Sequence, residues 1–209
     1  VFPLVIAFSG YWFEAMETTY LVVAAVAICT TIGVPLGVWA SATDARVRTV
    51  QVVLDAFQTM PPFVYFLPVI MLFRVSPAAV LTSMLIYPMV PAVRYTMLGL
   101  RGVPFDKIEA GKTSGCTSWQ LLWKVKMPLA LPEVILGINQ TILYAIFMAI
   151  LGTLIGGVGG LAGPLMSALG SSDIGNGTIL GLCIACIGLT ADRLITTWAA
   201  DRKAQLGLP

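Results

Sequence analysis

Few stretches of this chain have the residue types and spacing to do chemistry. Cys183-x-x-Cys186 has the spacing of a redox pair, Gly111-Lys112-Thr113 reads like the close of a phosphate-binding loop, and Asn139-Gln140-Thr141 is a glycosylation triplet. Each fails on its surroundings. The two cysteines lie in an uncharged apolar run, where they serve as small packing residues on one helix face. A phosphate loop needs a glycine five residues before Gly111; that position holds Asp106, and no apolar strand precedes it. The triplet falls inside an apolar stretch long enough to be membrane-embedded. With no histidine in 209 residues, imidazole metal sites and Ser–His or Cys–His nucleophiles are excluded. No compact cluster of acids, nucleophiles or metal ligands stands in their place. The four cysteines, Cys29, Cys116, Cys183 and Cys186, imply no disulfide framework. The chain therefore does not read as an enzyme, and no catalytic residue, metal or cofactor is expected.

The dominant signal is hydropathy. Hydrophobic residues make up 58% of the chain and charged residues 11%, against about 25% charged in a soluble domain, and the mean hydropathy is +0.91. The net charge of +2 is too balanced for a nucleic-acid binder. A helix needs roughly 20 apolar residues to cross about 30 Å of hydrocarbon. Charge-free runs of that order occupy 18–43, 56–73, 75–93, 134–172 and 174–191. The spacing predicts five spans, near 18–40, 51–73, 77–98, 130–156 and 175–198, in a single all-α membrane domain over 1–209. Residues 1–12 read as the tail of a further helix or as an interfacial segment with Tyr11 and Trp12 at headgroup depth.

Pro61, Pro62, Pro68, Pro88 and Pro91 fall in the second and third spans, where they either shape the helices or mark a lined pathway. Gly152, Gly156, Gly157, Gly159, Gly160 and Gly163 end the fourth span, and 161–169 reads as a short helix lying on or dipping into the membrane. Gly152-x-x-x-Gly156 and Gly177-x-x-x-Gly181 offer close helix approach. One set of connections carries Arg46, Arg48, Arg101, Lys107, Lys112, Lys124, Lys126, Arg202 and Lys203; the other carries Arg74 beside Glu14, Glu17 and Asp173. That asymmetry predicts that the 41–50 and 99–129 loops and the C-terminus are cytoplasmic.

The 99–129 connection is the most informative. Pro104 and Asp106 open a short helix containing Ile108 and Ala110, which Gly115 stops. Trp119, Leu122, Trp123 and Met127 then recur at helical spacing, with the tryptophans anchoring a helix–Gly–helix element at the membrane face. Glu109-Ala110-Gly111, then Gly115, then Val125-x-Met127-Pro128 resembles the EAA loop of bacterial ABC importer permeases, with three residues from Gly111 to Gly115 and nine from Gly115 to Val125. Gly111 replaces the second alanine, Val125 an isoleucine and Met127 a leucine. Glycine costs a helix about 1 kcal/mol relative to alanine, so the first helix is expected to be slightly looser. Pro62–Pro68, Lys124–Pro132, Gly137–Thr141 and Ala191–Arg193 look like the glycine betaine/proline betaine branch.

That resemblance implies a type I (MetI-like) permease fold of about five core transmembrane helices, in a bacterial inner membrane. It implies two copies of the permease, two cytoplasmic ATP-binding subunits that hydrolyse the ATP, and an extracytoplasmic binding protein. The solute would be a small quaternary ammonium compound such as a betaine or choline. It also implies coupling to the ATPase through Glu109, Ala110, Gly111, Gly115, Val125 and Pro128. An amino-acid or trimethylamine N-oxide permease is the alternative; an ion-coupled carrier or channel would leave the matched loop unexplained.

The intramembrane charges Asp55, Arg94, Glu133, Asp192 and Arg193 lie toward the cytoplasmic ends and suit packing, topology or an inner gate. Thr59, Tyr65, Asn139, Gln140, Thr141 and Tyr144 either join helices or line a pathway. A quaternary ammonium has no N–H to donate, so aromatic faces such as Phe57, Phe63, Tyr65 and Phe66 suit it. Tyr65, Phe66, Asn139 and Thr141 are the candidate pathway residues, on a shallow route between the second and fourth spans of two copies.

Overall fold

Prolines and caps cut the apolar runs into helices of unequal length. The computed structural model describes residues 2–74, 76–156 and 159–205, and among these the chain is helical, with no strand. In chain order the helices are α1 (Phe2–Phe8), α2 (Trp12–Ser41), α3 (Asp44–Thr59), α4 (Phe63–Phe73), α5 (Pro77–Arg101), α6 (Phe105–Thr113), α7 (Ser118–Leu121), α8 (Met127–Gly156), α9 (Ala162–Gly170) and α10 (Ile174–Gln205). A π-helical turn, Leu122–Lys126, joins α7 to α8. Four helical stretches are long and apolar enough to cross a membrane: Trp12–Ser41, Ala78–Arg101, Ser118–Gly152 and Ile174–Asp201. The short helix expected at 161–169 is α9.

The expected second span, 51–73, is a broken pair rather than one helix. Met60 is extended, with φ −72° and ψ 133°, because a residue preceding proline is driven out of the α region. Pro61 and Pro62 remove two successive donors, and α4 restarts at Phe63. Pro88 and Pro91 leave α5 unbroken. The difference lies in support: α5 is the central helix, packed along both α2 and α8, whereas α3 and α4 lean mainly on α5.

Small residues let the central helices approach. A Cβ at Gly37 of α2 would lie 2.7 Å from Thr96 Cβ and 2.8 Å from the Val93 carbonyl oxygen; one at Gly33 would lie 2.9 Å from Ala92 Cβ. Gly33-x-x-x-Gly37 is therefore the α2–α5 seam. On the α8 side, a Cβ at Gly137 would meet Tyr95 Cβ at 2.7 Å. Of the glycine pairs singled out in sequence, Gly152 abuts Val80 and Phe66, whereas Gly177 and Gly181 have nothing within 4 Å of a Cβ. Gly157 lies outside the described residues. Cys183 and Cys186 are buried packing residues, in one core with Val22, Met84, Met148 and Leu180.

Two ion pairs tie α3 to α5. Arg94 Nη2 lies 2.6 Å from Asp55 Oδ1, and Arg101 pairs with Asp44. The hydrogen bond and charge of Arg101 hold the Asp44 carboxyl below its ordinary value. A depressed carboxyl supports the folded contact above its unfolded pKa and loses that support as pH falls through the folded value. Acidification below about pH 4 is thus expected to lower the protection of amides at the start of α3 relative to their intrinsic exchange rate, and Asp44→Asn is expected to remove that acid-dependent step.

Candidate functional site

The elbow between α6 and α8 is built from both sides. At the end of α6 the Gly115 N–H donates to the Lys112 carbonyl at 3.0 Å and the Cys116 N–H donates to the Gly111 carbonyl at 3.1 Å. This closure needs a left-handed residue, and Gly115 has φ +78°. The next helix begins at once with a reciprocal cap: the Gln120 N–H donates to Thr117 Oγ1 at 3.3 Å, and the Thr117 N–H donates to Gln120 Oε1 at 3.0 Å. The sequence carries that signal as Thr117-x-x-Gln120, which sequence reasoning did not use.

The second arm is not a separate amphipathic helix, as expected from sequence, but the beginning of the spanning helix. It passes through the π turn, in which the Met127 N–H donates to the Leu122 carbonyl, into α8. Widening the helix there relieves the clash that the Pro128 ring would make with the carbonyl four residues earlier.

The matched residues divide by position. Gly111 is buried: a Cβ there would lie 2.7 Å from Leu121 Cδ1 and 3.3 Å from Val125 Cγ2. Glycine in place of alanine therefore lets α6 lie down on the base of α8, beyond any loosening of α6 itself. Glu109, Ala110 and Gly115 are exposed, while Val125 and Pro128 are half-buried. Phe105, Trp119 and Trp123 are also exposed, the two indole rings meeting edge-on at 5.6 Å. α6 is thus joined to the base of α8 in two ways, by the packed Gly111–Leu121–Val125 contact and by the capped turn.

The candidate pathway residues are spread along the interior. Phe66 is 1% exposed and faces Gly152 of α8. Asn139 is 3% exposed; its Nδ2 donates to Asp192 Oδ1 at 2.7 Å, while its Oδ1 makes no hydrogen bond among the described residues. Thr141 is buried and donates to the Gly137 carbonyl at 2.8 Å. The Tyr65 side chain lies outside the described residues. Tyr144 stacks on Tyr87 with ring centroids 5.0 Å apart. The structure brings Asn139 to Asp192 but does not gather Phe66, Asn139 and Thr141 around one cavity. No group of three or more Cys, Asp or Glu residues is placed to hold a metal among the described residues.

Residues 30–200 match the family described as "Binding-protein-dependent transport system inner membrane component". The chain is 43% identical over 97% of its length to the trimethylamine N-oxide transport system permease protein of Ruegeria pomeroyi, of which it covers 31%. It is 36% identical over 94% of its length to the glycine betaine/proline betaine transport system permease protein of Escherichia coli, covering 55% of it. To the glycine betaine transport system permease protein of Bacillus subtilis it is 37% identical over 97% of its length, covering 71%. The chain thus spans about a third to about half the length of the first two relatives. Among solved structures, the inward-facing MetNI methionine ABC transporter superposes with a TM-score of 0.73 at 21% identity, covering 92% of this chain and 97% of that one. At that identity the likeness shows the fold.

Proposed function

Because the chain belongs to the family of binding-protein-dependent transport system inner membrane components, we propose that it is the permease subunit of an ATP-driven importer that admits a small quaternary ammonium compound. The observation that carries this reading is the elbow. A short helix with an exposed acid, Glu109, is locked by caps on both sides of Gly115 and packed through Gly111 onto the base of a spanning helix. Such a lever suits two cytoplasmic ATP-binding subunits, with the elbow and the C-terminus on the cytoplasmic side. A second copy of the chain covers exposed apolar side chains of α3, α4 and α10, among them Phe63, Leu67, Met71 and Leu182. An extracytoplasmic binding protein supplies the solute at the opposite end.

Glycine betaine or choline is the solute class, after the betaine permeases among the relatives. The 43% identity to a trimethylamine N-oxide permease supports a second reading, with that compound as solute. Both solutes carry a methylated nitrogen with no N–H to donate. Tyr65, Phe66, Asn139 and Thr141 line the route. The last three are covered in this packing, so the α4–α8 and α8–α10 seams part during transport. Reconstitution with both partners tests the reading. ATP-dependent accumulation of betaine is expected, accumulation of trimethylamine N-oxide alone selects the second solute, and transport by the chain without an ATPase overturns the proposal.

A further inference from the structure

The end of the bundle opposite α6 is held by a clasp between distant parts of the chain. Glu17 and Thr18 are consecutive on α2, and their side-chain oxygens accept hydrogen bonds from two consecutive backbone donors in the turn before α9. The Gly160 N–H donates to Glu17 Oε2 at 2.8 Å, and the Leu161 N–H donates to Thr18 Oγ1 at 2.9 Å. The second bond is buried, Leu161 being 0% and Thr18 6% exposed. The Thr18 hydroxyl donates in turn to the Glu14 carbonyl at 2.9 Å, which orients its lone pairs toward the turn. The turn is shaped for this contact. Gly159 and Gly160 have φ +49° and +75°, and a Cβ on them would lie 2.0 Å from Glu17 Oε1 and 2.5 Å from Thr18 Oγ1. Any larger residue would both strain the backbone and displace the acceptors.

We propose that Glu17 and Thr18 are positioning residues for transport: they keep α9 fastened to α2 throughout the cycle, so that the outer ends of α2, α8 and α9 move as one body. This rests on the permease reading above. Opening the clasp would strand the N–H groups of two buried residues, Gly160 and Leu161, which is unfavourable away from water. Among the described residues, no pair of side-chain-to-backbone hydrogen bonds between distant elements fastens α4 at this end as Glu17 and Thr18 fasten α9. The α3–α4 pair is interrupted at Met60–Pro62, and its buried apolar side chains are Leu54, Phe66 and Val69. The pair is accordingly the element that shifts to admit solute.

A covalent bridge across the clasp tests this. A Cβ at Gly160 would lie 3.6 Å from Thr18 Cβ, inside the range a disulfide spans. In the complete transporter, with the four native cysteines replaced by alanine, Thr18→Cys with Gly160→Cys is expected to form a bridge detectable by mass spectrometry. ATP-driven uptake with the bridge closed is expected to stay within about twofold of the transporter that lacks only the four native cysteines. Uptake that stops on oxidation and returns with reductant overturns the proposal. The left-handed backbone at Gly160 strains a cysteine, so a second variant, Glu17→Ala with Thr18→Val, removes both acceptors instead. Solute moved per ATP is expected to drop about tenfold in that variant. A fall in both rates in step with the amount of assembled complex, with the ratio unchanged, marks a merely structural role and overturns the proposal. Bridge formation is read without transport, so an unmodified complex that moves no solute counts against the permease reading and leaves the clasp geometry separately testable.

Discussion

Gly115→Val is expected to cut ATP-driven uptake at least about tenfold, because a left-handed backbone costs an L-residue about 1–2 kcal/mol and a β-branched one more. At thermal energy that penalty alone lowers the population of the intact elbow about five- to thirtyfold. The site isolates the backbone effect. Gly115 has φ +78° and nothing within 4 Å of a Cβ, so a new side chain meets no neighbour. Gly115→Asn is expected to keep most of the uptake, since asparagine tolerates the left-handed region best among non-glycine residues. Gly115→Asp falls between them. All three variants should reach the membrane in normal amounts, because the substitution alters the turn and not the bundle. Equal uptake by the valine and asparagine variants would show that the closure at Gly115 does not transmit force.

Gly37→Leu is expected to destabilise the bundle itself. The α2–α5 contact leaves no room at this position, and one of the crowding atoms is the Val93 carbonyl oxygen at 2.8 Å, which no side-chain rotation can move aside. Overpacking of this kind costs about 1–3 kcal/mol, so a midpoint decrease of about 2–12 °C is expected for a chain of this size in detergent. Gly177→Leu is the matched control. It sits in a glycine pair of the same spacing, but with nothing within 4 Å of a Cβ, and the protomer is expected to unfold at its usual temperature. Equal loss in both variants would mean that the close contact at Gly37 is not the source of the destabilisation, since leucine is the better helix former at either position.

The legible part of the molecule and the illegible part differ in kind. Charge-free runs marked the spanning helices because burying a charge in hydrocarbon is costly wherever the neighbours sit. The elbow was legible because its turn depends on residues adjacent in sequence: Gly115 for the left-handed closure and Trp119 and Trp123 on the following arm. The Thr117-x-x-Gln120 cap was equally local and could have been read. Prolines show where this stops. Pro61 and Pro62 are adjacent and Pro88 and Pro91 three apart; each pair falls within an apolar run, yet the first breaks its helix and the second does not. The neighbours of α5 keep it continuous, and that support is a property of the assembled bundle.

Which stretches leave water, where the chain turns through the elbow and that no histidine chemistry is available are all readable from the residues alone, because solvation and backbone preference act residue by residue. The packed bundle settles that Gly33 and Gly37 form a seam while Gly177 and Gly181 meet nothing within this chain. It alone joined Asn139 to Asp192 and Glu17 to Gly160, partners 53 and 143 residues apart. Those contacts depend on how far each helix is rotated and how deep it sits against the next. That relative placement is set by packing across the whole bundle, and no local pattern of residues encodes it.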